Sequence, residues 1–252
     1  PFFTIPFLKA FGGEVFDNPA SQEAQPTLNT SAMKKLCRFL RKIQQDGIIP
    51  TFSDYDVASN LFTEKKVPFL INGPWSFRDY IENHGMNIGI APIPKVNGVW
   101  PAPYSAVKGY TISSTAVKDE RKKEAVKKFV RFMTAKDAQL QMAESHRQLP
   151  AIKSAIKDKR IADKEMMRQQ QLQLEKAITM PVITQMRAVW DAMKLVQINI
   201  FAGRTDPENA PAQMQRRAVD GMRALGMRIN PATDYPDVSI DPYTEPSHSD
   251  TQ

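Results

Sequence analysis

A single cysteine, Cys37, stands among the 252 residues, which excludes an intrachain disulfide and any cysteine-based metal site. Met33, Leu36 and Leu40 share its register on a helix, so Cys37 reads as a buried structural thiol. Histidine is nearly as scarce. His84, His146 and His248 lie far apart with no HExxH spacing, so metal-assisted hydrolysis lacks its ligands. No run approaches eighteen uninterrupted apolar residues, which excludes a membrane-spanning helix. There is no GxSxG turn, no cysteine–histidine context and no GxxxxGK[ST] phosphate loop. A glycosidase needs two carboxylates about 5–9.5 Å apart; Glu64, Asp79, Glu82 and Asp191 are present, but nothing in their spacing pairs them. The absences point away from an enzyme and call for no cofactor.

The sequence opens at Pro1 without the basic segment and apolar core of a secretory leader, as a mature or trimmed product would. Formal net charge is +7, from 34 basic and 27 acidic residues. That excess alone would suit a polyanionic partner. The basic residues, however, are spread through helices and mixed with Glu and Asp. The densest run, Lys118 to Lys128, reads as the wet face of a helix whose apolar face is Ala125, Val126, Phe129, Val130 and Met133. No nucleic-acid partner is expected.

Apolar periodicity predicts a helix over 30–45, capped by Asn29 or Thr30 and stopped at Asp46-Gly47, and a second after the N-cap Asp54. Val67–Ile71, closed by Asn72-Gly73-Pro74, reads as a buried strand, followed by a short helix over 75–83. Asn87–Ile93 and Gly109–Ser113 are two further strand candidates. From there the chain reads as helices over 119–133, 136–145, 152–157, 161–176, 183–201 and 207–225, with a stop at Gly203-Arg204-Thr205. Residues 226–252, rich in proline, acids and hydroxyls and without periodicity, read as an extended or disordered tail. Strands interleaved with helices give an α/β architecture.

Four ordered segments carry a resemblance. They are Tyr55-Asp56-Val57-Ala58 leading to Ile71-Asn72-Gly73-Pro74-Trp75; Asn87 to Pro94 with Lys108 to Ser113; the helix pair 124–148 ending in Leu149-Pro150-Ala151; and Met180-Pro181 through Trp190 to Gly203-Arg204. In this order and spacing the chain resembles the carboxy-terminal part of ABC-transporter solute-binding proteins of the maltose-binding type. The resemblance implies a periplasmic-binding-protein-like type II fold, of which this chain would hold mostly the second lobe. On that reading 1–107 and 151–225 belong to the second lobe, and 108–150 is an excursion that completes the first. A segment that short either finds a substitute packing partner, such as a second copy of the chain with self-association through it, or is mobile.

The resemblance further implies a non-catalytic, periplasmic or extracellular protein that binds a sugar or oligosaccharide and docks on the membrane subunits of an importer. Aromatic rings stack on sugar C–H faces, while amides, carboxylates and cations take the hydroxyls. By resemblance Trp75, at a strand-to-helix turn, and Trp190, at the edge of the apolar stripe Met186, Val189, Met193, Val196 and Ile200, are stacking platforms aimed into one groove. Read from the residues alone, Trp75 is also a core or surface tryptophan and Trp190 a core one. Lys194 lies one turn beyond Trp190 on the same side and can donate to a hydroxyl held there. Phe2 and Phe3 match an aromatic pair lining the cleft, although Phe2 lacks a hydroxyl and Phe3 fits a core position as well. Two other readings stay open: a docking module that binds no sugar, and a receptor for an anionic solute such as a glycerophosphodiester.

Overall fold

The computed structural model describes residues 1–51 and 53–233. The helices run in order α1 (Ile5–Ala10), α2 (Ser31–Gln45), α3 (Tyr55–Thr63), α4 (Glu120–Met133) and α5 (Lys136–His146). Then follow α6 (Lys153–Ile156), α7 (Lys159–Ala162), α8 (Glu165–Leu174), α9 (Gln185–Phe201) and α10 (Ala210–Ala224). Two short strands, β1 (Tyr104–Ser105) and β2 (Ile178–Thr179), pair in parallel. The chain divides into two compact units, one of Pro1, Phe11–Phe52 and Pro181–Gln252, the other of Phe2–Ala10 and Ser53–Met180.

In the first unit α2, α9 and α10 pack together. Thr30 caps α2 by accepting from the Met33 amide at 3.2 Å, one of the two caps expected. Met33, Leu36, Cys37 and Leu40 of α2 are buried, as are Met186, Val189, Met193, Val196 and Ile200 of α9. The i, i+3, i+4 spacing of both stripes turns them inward, and each large side chain removed from water contributes about 1.5–3 kcal/mol. Alpha-helix α10 adds Met214, Ala218, Val219 and Met222. Gly221 keeps this crossing close, because a Cβ there would sit 3.1 Å from that of Ala188. The helix stop read at Gly203-Arg204 is present: Gly203 takes φ +73 and the Arg204 amide bonds back to the Asn199 carbonyl at 2.8 Å. The next helix begins three residues later than expected from Pro207, because Asp206 caps a separate turn that feeds into Asn209 and Ala210.

Two glutamines replace a sheet in tying this unit's loops. Buried Gln215 accepts from the Leu28 amide at 2.7 Å and donates to the Pro26 carbonyl at 2.8 Å. Gln25 donates to the Arg228 carbonyl at 3.3 Å and accepts from the Asn230 amide at 2.9 Å. Gln215 thereby satisfies backbone groups of the buried residues Pro26 and Leu28. On the surface, Arg38 grips Glu208 with both Nε and Nη2, and the bond holds the Glu208 carboxyl below its usual range.

In the second unit Leu140, Ala143, Ala155, Ile161 and Met167, from α5 to α8, form a core lined by Leu149 and Ile152. Asp54 caps α3 as expected, accepting from the Val57 amide at 2.9 Å. The helix expected over 161–176 is instead broken between α7 and α8, where Asp163 and Lys164 leave the helix.

The three expected strands are corrected. Among the described residues Val67–Ile71, Asn87–Ile93 and Gly109–Ser113 lie in no ladder, and the strands that pair there are β1 and β2. Alternation in sequence records an extended, half-apolar backbone, while a strand needs a neighbour to bond to. The short helix expected over 75–83 is a 3-10 turn, Pro74–Ser76, followed by a π-turn, Asp79–Asn83. On α4 no residue is buried: Phe129 of the apolar face read from the sequence is exposed, as is Phe132 beside that face. The tail expected from 226 holds a 3-10 turn at Pro231–Thr233; its remainder from 234 lies outside the described residues. Among the described residues no helix is long and apolar enough to cross a membrane.

Candidate functional site

Local chemistry in the Asn72-Gly73-Pro74-Trp75-Ser76 turn fixes the indole of Trp75. Asn72 Oδ1 accepts from the Gly73 amide at 2.8 Å, and its Nδ2 donates to Tyr80 Oη at 2.8 Å. Ser76 Oγ donates to the Gly73 carbonyl at 2.8 Å. Pro74, at the first position of the 3-10 turn, presets φ and has no amide to leave unpaired. Tyr80 is buried, its ring against Phe62 at 5.3 Å and its hydroxyl 2.9 Å from Ser59 Oγ, so the turn is anchored to α3. Gly73 leaves room for the indole: a Cβ at this position would overlap the Trp75 ring where it lies.

The indole so placed is 44% exposed and joins three other rings. Phe2 meets it edge-on at 6.1 Å, and Phe3 lies tilted at 6.4 Å. Tyr55, the first residue of α3, stacks on Phe3 with centroids 6.2 Å apart and planes at 18°. Trp75 Nε1 donates to Tyr55 Oη at 3.1 Å. Contacts of this kind contribute about 0.5–1.5 kcal/mol each beyond burial. Four aromatic side chains, two of them more than two-fifths exposed, thus present adjoining ring faces and a phenolic hydroxyl to solvent.

Of the residues singled out in the sequence, Phe2, Phe3 and Trp75 are brought together here. Trp190 and Lys194 lie on α9 in the other unit, Trp190 half-buried at the edge of the core stripe and Lys194 exposed one turn on. Tyr55 was missed as a site residue, although the Tyr-Asp-Val-Ala motif contained it. The only signal was an aromatic hydroxyl immediately after a helix N-cap. Beyond Trp75 the π-turn is braced by Arg78, which donates to Glu82 at 2.7 Å and holds that carboxyl below its usual range. No cluster of His, Cys, Asp and Glu suited to a metal ion occurs among the described residues. Such a surface suits flat apolar faces edged with hydroxyls.

The family model described as bacterial extracellular solute-binding protein matches residues 2–169. A galactooligosaccharide-binding protein of Bacillus subtilis is 26% identical over 225 residues, spanning 86% of this chain and 52% of the relative. A maltotriose-binding protein of Pyrococcus abyssi is 28% identical over 199 residues, spanning 77% and 42%. The chain therefore spans about half the length of the curated relatives it matches. The maltose/maltodextrin-binding domain MalE of Bdellovibrio bacteriovorus, solved bound to maltotriose, is 34% identical at a TM-score of 0.76, over 88% of this chain and 58% of that one. The type II fold expected from the sequence is thus the fold this chain shares, and these relatives are binding proteins. The chain belongs to the bacterial extracellular solute-binding protein family.

Proposed function

We propose that this chain is part of a non-catalytic sugar receptor of an importer, acting outside the cytoplasmic membrane and taking a maltodextrin-type oligosaccharide. The observation that carries the reading is Trp75: an indole 44% exposed, yet fixed by Gly73, by three neighbouring rings and by the Tyr55 hydroxyl. An exposed ring held this firmly is organised for a ligand before the ligand arrives, which lowers the ordering cost of binding. Phe2, Phe3, Tyr55 and Trp75 stack on the pyranose faces, with Tyr55 Oη also able to bond a hydroxyl. Trp190 and Lys194 on α9 are a second contacting pair, the indole for a sugar face and the ammonium for a hydroxyl. The names of the relatives, galactooligosaccharide-binding, maltotriose-binding and maltose/maltodextrin-binding, support the ligand class and the absence of catalysis. The membrane subunits of an ABC importer are the macromolecular partner in this reading. Its lobes follow the resemblance: 1–107 with 151–225, and the excursion 108–150.

Affinity follows from the same contacts. A micromolar site needs about 8 kcal/mol, and four rings with one or two hydroxyl bonds supply about half of it. Calorimetry with maltotriose is expected to give a dissociation constant in the millimolar range, about 4 kcal/mol, weakened further by Trp75→Ala. Low-micromolar binding by this chain would contradict the assignment of affinity, and unchanged binding by the variant would contradict the assignment of site.

A further inference from the structure

Behind the exposed rings, the turn that carries Trp75 and the helix that carries Tyr55 are linked a second time. Asn72 Nδ2 donates to Tyr80 Oη at 2.8 Å, and Tyr80 Oη lies 2.9 Å from Ser59 Oγ. Asn72 belongs to the turn, bonded through its Oδ1 to the Gly73 amide. Ser59 stands one helical turn after Tyr55 on α3 and so shares its face. Two links between two elements fix a spacing, whereas one alone leaves a hinge. The outer link, from Trp75 Nε1 to Tyr55 Oη, competes with water and contributes little by itself. The inner link is withdrawn from solvent, with Tyr80 only 3% exposed, and a satisfied buried network is the stiffer of the two. Trp75 and Tyr80 leave the same helical run, 74–83, one toward solvent and the other inward. That run ends in the π-turn Asp79–Asn83, closed by the His84 amide on the Asp79 carbonyl at 3.2 Å. Such turns are rare and concentrate at functional sites.

We propose that Tyr80 is a positioning residue for the oligosaccharide: it touches no sugar, and its buried hydroxyl sets the separation and tilt of Trp75 and Tyr55. The inference rests on the sugar-receptor reading for its ligand, and on the hydrogen bonds alone for the placement of the rings. Tyr80→Phe keeps the ring against Phe62 but leaves Asn72 Nδ2 without its acceptor. Asn72 then turns toward water, its Oδ1 releases the Gly73 amide, and the indole samples several orientations in place of one. Binding must afterwards order a ring that the native chain orders on folding, and affinity falls by that difference.

The test follows the Trp75 indole by nuclear magnetic resonance, without sugar and through a maltotriose titration, in the native chain, Tyr80→Phe, Ser59→Ala and Ile161→Val. Tyr80→Phe is expected to shift and broaden the free indole resonance and to raise the dissociation constant about two- to tenfold. Its melting temperature stays within a few degrees of native. Ser59→Ala cuts the same link at its far end and moves both readouts in the same direction. Ile161→Val thins the core of α5 to α8, lowers the melting temperature by as much or more, and leaves both readouts native. An unaltered free indole resonance or unaltered affinity in Tyr80→Phe would overturn the inference, as would an equal loss of affinity in Ile161→Val. If the native chain takes no maltotriose, the sugar reading fails, and the free indole resonance still decides whether Tyr80 places the ring.

Discussion

Trp75 and Tyr55 are joined by one hydrogen bond, indole Nε1 to phenolic Oη at 3.1 Å, and that bond ties the Asn72–Ser76 turn to the first residue of α3. Twenty residues separate the partners, so the pairing is tertiary. Tyr55→Phe keeps the ring stack on Phe3 but removes the acceptor. The Trp75 indole proton should then exchange several-fold faster and move upfield, with a stability loss of about 1 kcal/mol or less at this exposed site. An unchanged indole resonance would mean the bond does not form in solution.

Gly73→Ala separates geometry from stability. The new Cβ overlaps the Trp75 ring, and the ring yields more easily than backbone because its far side faces solvent. The indole should swing away from Phe2 and Phe3 and lose its near-ultraviolet circular dichroism. The melting temperature should fall by only a few degrees, equivalent to about 1 kcal/mol. A retained aromatic signal would show that Trp75 is not held where described.

The first unit depends on Gln215. Gln215→Leu removes its bonds to Leu28, Pro26 and Thr233 and leaves the fully buried Leu28 amide without its acceptor. We expect a loss of about 2–4 kcal/mol in urea unfolding, well above that of a surface glutamine such as Gln169. A loss below about 0.5 kcal/mol, the range of surface substitutions, would show that water replaces the amide at no cost.

Cys37 predicts a pH dependence. Burial, with a smaller contribution from Glu208, pushes its thiol up to about 12. An unfolded thiol ionises near pH 8.5, as the reference value gives. Between these values the unfolded chain releases a proton that the folded chain keeps, so stability falls as pH rises. Tyr104, raised to about 12 by burial, adds to the decline at higher pH. Urea midpoints across the alkaline range should therefore fall more steeply for the native sequence than for Cys37→Ala. Parallel slopes would contradict the burial.

Legibility in the sequence followed the range of the interaction. The caps Thr30 and Asp54, the burial of Cys37, the stripe on α9 and the stop at Gly203 are set by residues within a few positions, and the sequence contained them. Val67–Ile71, Asn87–Ile93 and Gly109–Ser113 were visible as strand candidates, but not the absence of a ladder, because pairing depends on a neighbour distant in sequence. The two-residue strands β1 and β2 carry too little periodicity to be seen. At the candidate site, the Asn-Gly-Pro-Trp turn announced Trp75, whereas Tyr55 is recognisable only once folding sets its hydroxyl against the indole.

The most direct test of the account is saturation transfer from aromatic protons to maltotriose in the native chain, Trp75→Ala and Trp100→Ala. Trp100 is an exposed indole outside the four-ring cluster, covered by Lys95 at 5.2 Å. The account predicts transfer to the sugar C–H protons that drops sharply in Trp75→Ala and is kept in Trp100→Ala. Transfer undiminished in Trp75→Ala, or none from the native chain, would contradict it.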